Sequence, residues 1–262
     1  MIDMHCHLLA GIDDGPASVE DSLQLARALV DSGISKVLAT PHVSWHYQND
    51  AATIARLRAQ LSDLLLEQKI ALEVIPGGEI AMTYALELSP AEIKQFGLGG
   101  GPWLLIEPPF TAVVNNMDAI LMDLQRSGQR ILLAHPERCP AFHRDPKMLG
   151  TLVRAGVLTS ITAGALVGRF GSQVRRFALE MAREEMIHNV ASDAHDRTNR
   201  PPGIRAELEE AGLAPLTQWL TEAVPGAILS DQQIPPRPAV ALALAKTPRR
   251  PRWRRPSLRR AS

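Results

Sequence analysis

The sequence predicts an α/β fold in which parallel strands alternate with helices. Seven short apolar runs are separated by stretches with helical periodicity, and this alternation is typical of parallel sheets. Such a sheet forms either a closed or nearly closed barrel or an open doubly wound sheet. Six of the seven runs end at or near a histidine or acidic residue. That placement favours the barrel, because barrel enzymes carry their catalytic residues at the carboxyl ends of strands.

The first three predicted strands cover residues 2–8, 37–39 and 72–75. Ser18 and Asp21 have the spacing of a capping box, so they begin the first helix, and Gly33 ends it. Pro41 closes the second strand, and a Pro-Gly-Gly sequence at residues 76–78 stops the third. The polar and glycine-containing segments between these elements are therefore predicted loops.

The rest of the chain continues the same alternation. Ser89, Pro90 and Glu92 are suited to the N-cap, the first helical position and the capping-box acid of a short helix. Four further strands are predicted at residues 104–106, 131–133, 157–161 and 187–191. Longer helical stretches are predicted at residues 54–65, 117–124, 149–153 and 174–182.

Composition predicts one domain followed by a basic tail. The chain has 262 residues, of which 45% are hydrophobic, and this is enough for one large core. We predict a barrel domain over residues 1–235 and a disordered Pro- and Arg-rich tail over residues 236–262. Lys246 and seven arginines lie in residues 246–262 without an acidic residue, so residues 1–245 hold 20 basic and 28 acidic residues, a formal charge of −8.

This charge distribution limits the classes of partner. An acidic body suits a site crowded with carboxylates that cations neutralise, and it argues against nucleic acid lying across the body. Three interpretations of the tail at residues 246–262 stay open: a solvated end, weak contact with an anionic membrane, or contact with an acidic partner.

Cysteine content and hydropathy predict a cytoplasmic protein. Cys6 and Cys139 are the only cysteines, which excludes a disulfide framework, and we expect both to be reduced. A strand predicted from the first residues leaves no room for a signal peptide. No apolar run approaches the ~20 residues that span a bilayer. The tail allows a location at the inner face of the membrane.

Nine histidine, aspartate and glutamate residues form a candidate metal site. His5 and His7 project from one face of a strand, since strand side chains alternate, and Asp193 and His195 repeat this spacing. Each motif is a weak signal alone, but strand ends converge in a barrel, so together they predict a multi-metal hydrolytic site. The predicted ligands are His5, His7, Asp14, His42, Glu79, Glu107, His135, Asp193 and His195.

Seven stretches in order resemble one family over residues 1 to about 203. They are MIDMHCHLLAGIDDG, VLATPH, IPGGEI, LLIE, LLAHPER, TAGALVGRFG and ASDAHDRTNRPP. The chain is similar to the polymerase and histidinol phosphatase (PHP) family and, within it, to the bacterial tyrosine-protein phosphatases of capsule and exopolysaccharide loci, the CpsB and YwqE type. The resemblance implies a distorted (β/α)7 barrel of the PHP type, similar to a TIM barrel.

The resemblance also implies a trinuclear site, commonly with manganese, although iron, zinc, cobalt or magnesium would suit the same ligands. Position by position, the first metal is held by His5, His7, Glu79 and Asp193. Glu79 bridges to a second metal held by Glu107 and His135. The third metal is held by Asp14, His42 and His195. Arg138 and Arg200 bind the phosphate.

The function that the resemblance implies is hydrolysis of phosphotyrosine on a bacterial tyrosine kinase that controls capsular or exopolysaccharide synthesis and export. Three alternatives stay open: another PHP phosphoesterase such as a histidinol-phosphate phosphatase, a metal-dependent nuclease, and a non-catalytic regulator of polysaccharide synthesis. Cysteine-based phosphatases need an arginine at a fixed distance after the cysteine, and neither Cys6 nor Cys139 has one there. A cysteine nucleophile is therefore not expected.

Overall fold

The computed structural model describes residues 1–111 and 116–245 and has the predicted α/β organisation. Its strands are β1 (Ile2–Cys6), β2 (Lys36–Ala39), β3 (His42–Val43), β4 (Glu73–Pro76), β5 (Glu79–Ala81), β6 (Trp103–Glu107), β7 (Arg130–Ala134), β8 (Leu158–Thr162) and β9 (Asn189–Ala191). Its α-helices are α1 (Val19–Asp31), α2 (Ala51–Glu67), α3 (Pro90–Lys94), α4 (Met117–Arg126), α5 (Pro140–Arg144), α6 (Pro146–Arg154), α7 (Ala163–Leu166), α8 (Ser172–Arg183), α9 (Arg205–Ala211) and α10 (Val224–Leu229). Short 3₁₀ or π turns lie at Leu98–Gly100, Pro136–Arg138, Ala214–Leu216 and Trp219–Ala223.

All paired strands are parallel, and they form two sheets. One sheet has the order β1-β2-β4, and the other has the order β3-β5-β6-β7-β8-β9. All seven predicted strands are present, and helices connect most of them as the alternation requires. The short strands β3 and β5 were not predicted, because two or three residues carry no periodicity of their own.

The expected distorted (β/α)7 barrel is confirmed as an α/β fold with parallel sheets, but the hydrogen-bonded ladder does not run continuously around the structure. Pro41 separates β2 from β3, and Gly77 and Gly78 separate β4 from β5, so the pieces beyond each break pair in the second sheet. Proline lacks the N–H that a continuous ladder needs. On the opposite side, an isolated parallel bridge between Cys6 and Ala194 joins the sheets.

The helix starts follow the predicted capping chemistry. Ser18 accepts a hydrogen bond from the Asp21 backbone N–H, and the Asp21 side chain accepts one from the Ser18 N–H. Ser89 and Glu92 make the same reciprocal pair at α3. Each box satisfies two backbone donors that the first helical turn leaves without partners.

Alternation along β1 separates core from site. Met4 and Cys6 are fully buried in the apolar core, whereas His5 and His7 lie on the other face. Both cysteines are free and buried, as expected. Among the described residues, no helix is both long enough and apolar enough to cross a bilayer.

The segment after α10 lies against the body without helix or strand up to residue 245. Trp219 Nε1–H donates to the Pro235 carbonyl at 3.0 Å, and the Ala245 N–H donates to the Ala211 carbonyl at 3.0 Å. The basic residues 246–262 lie outside the described residues. The division into a domain at 1–235 and a tail at 236–262 stays a prediction.

Candidate metal centre

The structure brings all nine predicted ligands together at the carboxyl ends of the strands. His5 belongs to β1, His42 begins β3, Glu79 begins β5 and Glu107 ends β6. The remaining ligands follow strand ends or lie in the loop after β1: His7, Asp14, His135, Asp193 and His195. All except Asp14, His42 and Glu107 are buried, so the centre lies inside the fold with Asp14 at its rim.

His5 and His7 bring ligand atoms close to two carboxylates, Glu79 and Asp193. His5 Nε2 and His7 Nε2 are 3.2 Å apart, and they lie 3.2 and 3.3 Å from Glu79 Oε2. Asp193 Oδ1 lies 3.6 Å from His5 Nε2 and 3.7 Å from His7 Nε2. Ligands at about 2.0–2.1 Å around a tetrahedral ion are about 3.3–3.4 Å apart. His5 Nε2 and His7 Nε2 are therefore within ligand spacing of each other and of Glu79 Oε2, and Asp193 Oδ1 lies farther from both nitrogens.

The two oxygens of Glu79 face different partners. Oε2 faces His5 and His7 and also lies 3.0 Å from His42 Nδ1, whereas Oε1 lies 2.8 Å from His135 Nε2. Glu107 Oε1 lies 3.8 Å from the same His135 nitrogen. A carboxylate placed in this way is suited to bridge two cations.

A third group lies toward the surface. Asp14 Oδ1 is 3.2 Å from His195 Nε2 and 3.5 Å from His42 Nε2, and the Asp14 side chain is 44% exposed. The ligand atoms of Asp14, His42, His195 and His7 lie within 4.8 Å of one another. The partition differs from the implied one in the centre, where His5 groups with Glu79 and His135, and His42 groups with Glu79 and Glu107.

Unsatisfied buried oxygens point to cations at this centre. Glu79 Oε2 and Asp193 Oδ1 are both inaccessible, and neither has a well-formed hydrogen bond, although imidazole nitrogens lie 3.0–3.7 Å away. Burying an unpaired carboxylate oxygen is costly, and native proteins avoid it unless an ion or another donor compensates. The donor set of imidazoles and carboxylates also suits Mn²⁺, Fe²⁺ and Zn²⁺. The residues present therefore fit the implied metals.

Electrostatics favour the same conclusion. Burial raises the pKa of Glu107 to about 9, and the nearby Glu79 charge adds to the shift. Burial also acts to raise the pKa of Glu79, but His5 and His135 hold it well below its usual value. Two carboxylates this close resist ionising together. A bound cation would remove that conflict by favouring the charged form of both.

Arg138 and Arg200, the predicted phosphate ligands, converge on one oxygen. Asp193 Oδ2 accepts a hydrogen bond from Arg138 Nη1 at 2.9 Å and forms an ion pair with Arg200 Nη2 at 2.6 Å. Arg200 Nη1 also lies 2.7 Å from His195 Nε2. Metal binding through that nitrogen requires Arg200 to turn aside. Both guanidiniums therefore lie at the edge of the cluster, where a phosphoryl group would approach.

Two predicted ligands have unusual backbone conformations. His135 has φ of 29° and Asp193 has φ of 52°, in the left-handed region that side chains other than glycine rarely adopt. Both follow a strand end, and the turn directs the side chain into the cluster. Strain of this kind persists where a functional arrangement requires it.

Sequence reasoning missed Asp13, which supports two ligands. Its Oδ2 lies 2.7 Å from His7 Nδ1 and accepts the His42 backbone N–H at 3.1 Å, while Oδ1 accepts the Gly15 N–H at 2.9 Å. A carboxylate on the second nitrogen of a ligating histidine fixes the tautomer and aims the free nitrogen at the metal. The adjacent Asp13-Asp14 pair was a visible signal, but spacing alone does not show which of the two faces the metal.

Glu137 and Thr162 form a second support that was also missed. The buried Glu137 carboxylate accepts the Thr162 N–H at 2.9 Å, and Thr162 Oγ1 lies 3.3 Å from Asp193 Oδ2. This chain of contacts runs from the turn that carries Arg138 to the Asp193 carboxylate. The strand ending at Thr162 was the one without a predicted site residue, so its contribution is indirect.

Comparison with known proteins agrees with this geometry. The family model for capsular polysaccharide synthesis, CpsB/CapC, matches residues 1–211. The chain is 38% identical over 201 residues to the tyrosine-protein phosphatase YwqE of Bacillus subtilis, covering 76% of this chain and 79% of the relative. It is 32% identical over 205 residues to the putative tyrosine-protein phosphatase CapC of Staphylococcus aureus, covering 77% and 79%.

A solved structure gives the same relationship in three dimensions. It comes from work on YwqE from Bacillus subtilis and CpsB from Streptococcus pneumoniae, described as unique metal-dependent tyrosine phosphatases. It superposes with a TM-score of 0.79 at 35% identity, covering 92% of this chain and 100% of that chain.

Proposed function

The chain belongs to the CpsB/CapC family of capsular polysaccharide synthesis, and we propose that this metal-dependent tyrosine phosphatase acts on a bacterial tyrosine kinase that controls capsular or exopolysaccharide synthesis and export. The observation that carries the proposal is the placement of Arg138 and Arg200 beside a ligand cluster of metal-site dimensions. Such a site is suited to a phosphoryl group. The proposal includes a cytoplasmic location, in keeping with two free cysteines.

We propose three cations, with Mn²⁺ as the ion, in the arrangement that the family resemblance implies. His5, His7, Glu79 and Asp193 would hold the first, Glu79, Glu107 and His135 the second, and Asp14, His42 and His195 the third. When bound, such cations neutralise phosphoryl oxygens and lower the pKa of a coordinated water from 15.7 toward ~7. The buried imidazoles and carboxylates fix where that chemistry takes place.

The arginines supply the phosphate contacts. A guanidinium is a planar fork of donors that can bind two phosphoryl oxygens at once. In the described structure both arginines share Asp193 Oδ2, so each has further N–H groups for the substrate. Charge develops on the phosphoryl oxygens during transfer, and donors fixed in advance stabilise that charge. Arg138 and Arg200 therefore bind the substrate and stabilise its transition state.

The substrate's chemistry suits this site. A phosphotyrosine monoester is dianionic and repels a nucleophile, so cations and guanidiniums together offset the main barrier. Its phenolate leaving group has a pKa near ~10, and it needs less protonation than a serine or threonine alkoxide. Neither cysteine is placed as a nucleophile. Cys6 and Cys139 are both buried, and Cys6 lies on the core face of β1.

The proposal is tested by measuring the phosphate that the purified 262-residue chain releases from supplied substrates. Chelated protein is supplied with a phosphotyrosine peptide, a phosphoserine peptide or histidinol phosphate, each before and after Mn²⁺ is restored. We expect release from phosphotyrosine alone, and only with metal. Release confined to histidinol phosphate would contradict the proposed substrate while keeping the site, and no release from any would contradict the reaction class. A tyrosine-phosphorylated kinase tail then serves as the direct test of the partner.

A further inference from the structure

Exposed aromatic rings concentrate beside the metal centre. Among the described residues, six large apolar side chains are exposed, and only Trp45 and Phe110 of these are aromatic, at 56% and 48% exposed. Trp45 follows β3 and Phe110 follows β6, the strands that carry His42 and Glu107. Exposed aromatic area beside a polar site is a feature of ligand recognition.

Phe110 is fixed between a metal ligand and a phosphate ligand. Its ring stacks on the His135 imidazole at a centroid distance of 5.6 Å and an angle of 17°, and the Arg138 guanidinium lies 5.0 Å from its centroid. Pro108 and Pro109 precede it and restrict the backbone, and Cys139 Sγ–H lies 3.4 Å from the Pro109 carbonyl. About half of the ring nevertheless remains open to solvent.

A second set of rings lies on the other side of Glu107. Tyr47 stacks on the His42 imidazole at 5.5 Å and 8°, and Trp45 packs edge to face on Tyr84 at 5.2 Å. His42 and His135 lie 3.9 and 3.8 Å from opposite oxygens of the Glu107 carboxylate. Phe110 and Tyr47 therefore stack on the two histidines that lie near opposite oxygens of Glu107.

We infer that Phe110 determines specificity by packing against the aryl ring of the substrate, so that the site selects aryl over alkyl phosphates. A phosphoryl group bound by Arg138 brings its ester substituent past the neighbouring Phe110 ring. An aromatic substituent can stack there and bury apolar surface, and a serine or threonine substituent cannot. The inference rests on the proposed function and adds to it the residue that distinguishes the substrate class.

The test measures the ratio of inhibition by two phosphonates that the enzyme cannot hydrolyse. Metal-loaded full-length protein is inhibited with phenylphosphonate and with methylphosphonate during phosphotyrosine turnover. For Phe110→Leu we expect the inhibition constant of phenylphosphonate to rise about two- to tenfold, the range that aromatic pairs contribute, with that of methylphosphonate nearly unchanged. Phe110→Tyr keeps an aromatic ring, so its ratio of the two inhibition constants is expected to match that of the wild type. Leu66→Ala, at an exposed position on α2, is the matched control.

The outcomes separate the two proposals. Failure of the wild type to hydrolyse phosphotyrosine contradicts the proposed function. With that turnover present, an unchanged ratio in Phe110→Leu overturns the inference, as does a wild type without preference for the phenyl compound. An equal loss of both inhibitors also overturns it, because Phe110 would then only support His135 and Arg138. A selective loss of inhibition by phenylphosphonate in Phe110→Leu, with no such loss in Phe110→Tyr, supports the inference.

Discussion

Asp13 Oδ2 lies 2.7 Å from His7 Nδ1, so this carboxylate determines which nitrogen of His7 faces the metal centre. Although burial opposes the charged form, the Asp13 and Glu79 carboxylates raise the pKa of His7 to about 10, so a cation bound at Nε2 would displace a proton from that nitrogen. A proton held at Nδ1 is donated to Asp13. The opposite nitrogen then lies near Glu79 Oε2 and Asp193 Oδ1.

Replacing Asp13 is expected to weaken metal binding without removing a ligand. In Asp13→Ala, His7 loses the partner that fixes its tautomer, and such losses reduce metal affinity by about 10- to 100-fold. Asp13→Asn keeps an oxygen acceptor and should lose less. Bound manganese is measured by elemental analysis after equilibration with a series of buffered free Mn²⁺ concentrations. Asp63→Ala, exposed on α2, is the control, and equal affinity in all four proteins would contradict the role.

Glu79→Gln tests the bridging carboxylate. The amide keeps the size of the side chain but removes the charge that two groups of ligands share, so we expect metal stoichiometry to fall by one or two ions. Bound metal per chain is measured, with far-UV circular dichroism as the check that the fold persists. A variant that retains the full complement of metal would show that Glu79 does not bridge.

Arg138→Ala is expected to lower the rate of phosphotyrosine hydrolysis and to leave metal binding unchanged. Removing one preorganised donor to a developing oxyanion costs about 10²–10³ in rate in other enzymes, and we expect a similar fall in kcat/KM for phosphotyrosine. Metal content should stay intact, since the guanidinium binds no cation. Arg126→Ala removes an exposed arginine on α4 that pairs with Asp123 and serves as the control. An unchanged rate in Arg138→Ala would exclude the assigned role.

The sequence allowed the clustering of these side chains to be predicted because strand ends impose their position. His5 and His7 had to share a face, and Glu79 and His135 had to follow strands that converge. The break of the ladder was harder to foresee. Pro41 and the glycines at 77 and 78 marked the strand ends, but the pairing of the residues beyond them depends on long-range contacts such as His42 with Glu79.

The supporting residues could not be predicted from the sequence for a related reason. Asp13 and Thr162 act through contacts to ligands distant in sequence, and nothing in their local pattern distinguishes them from a turn aspartate or a strand threonine. The sequence also did not predict the left-handed backbone conformation at His135 and Asp193. Non-glycine residues adopt it only rarely, so propensity argues against it.

His188 lies outside the metal centre and makes a contact that requires its neutral form. The residue precedes β9, and its Nδ1 accepts the Thr159 N–H at 3.2 Å. Burial, together with the nearby Arg237 charge, lowers its pKa from 6.5 to about 4. Protonation would remove the acceptor from this hydrogen bond and place a second cation near Arg237.

Stability is therefore expected to fall between pH 6.5 and 4 through His188. In that window the unfolded chain binds a proton at this residue that the native chain does not, so the free energy of unfolding decreases as the pH falls. The side chain in His188→Asn does not titrate. Between pH 7 and 4, the free energy of unfolding of this variant should therefore fall by about 2–3 kcal/mol less than that of the wild type. Urea unfolding at each pH measures this difference. Metal ligands titrate equally in both proteins, and His46→Asn, in an exposed loop, should follow the wild type. Parallel curves for wild type and His188→Asn would contradict the assignment.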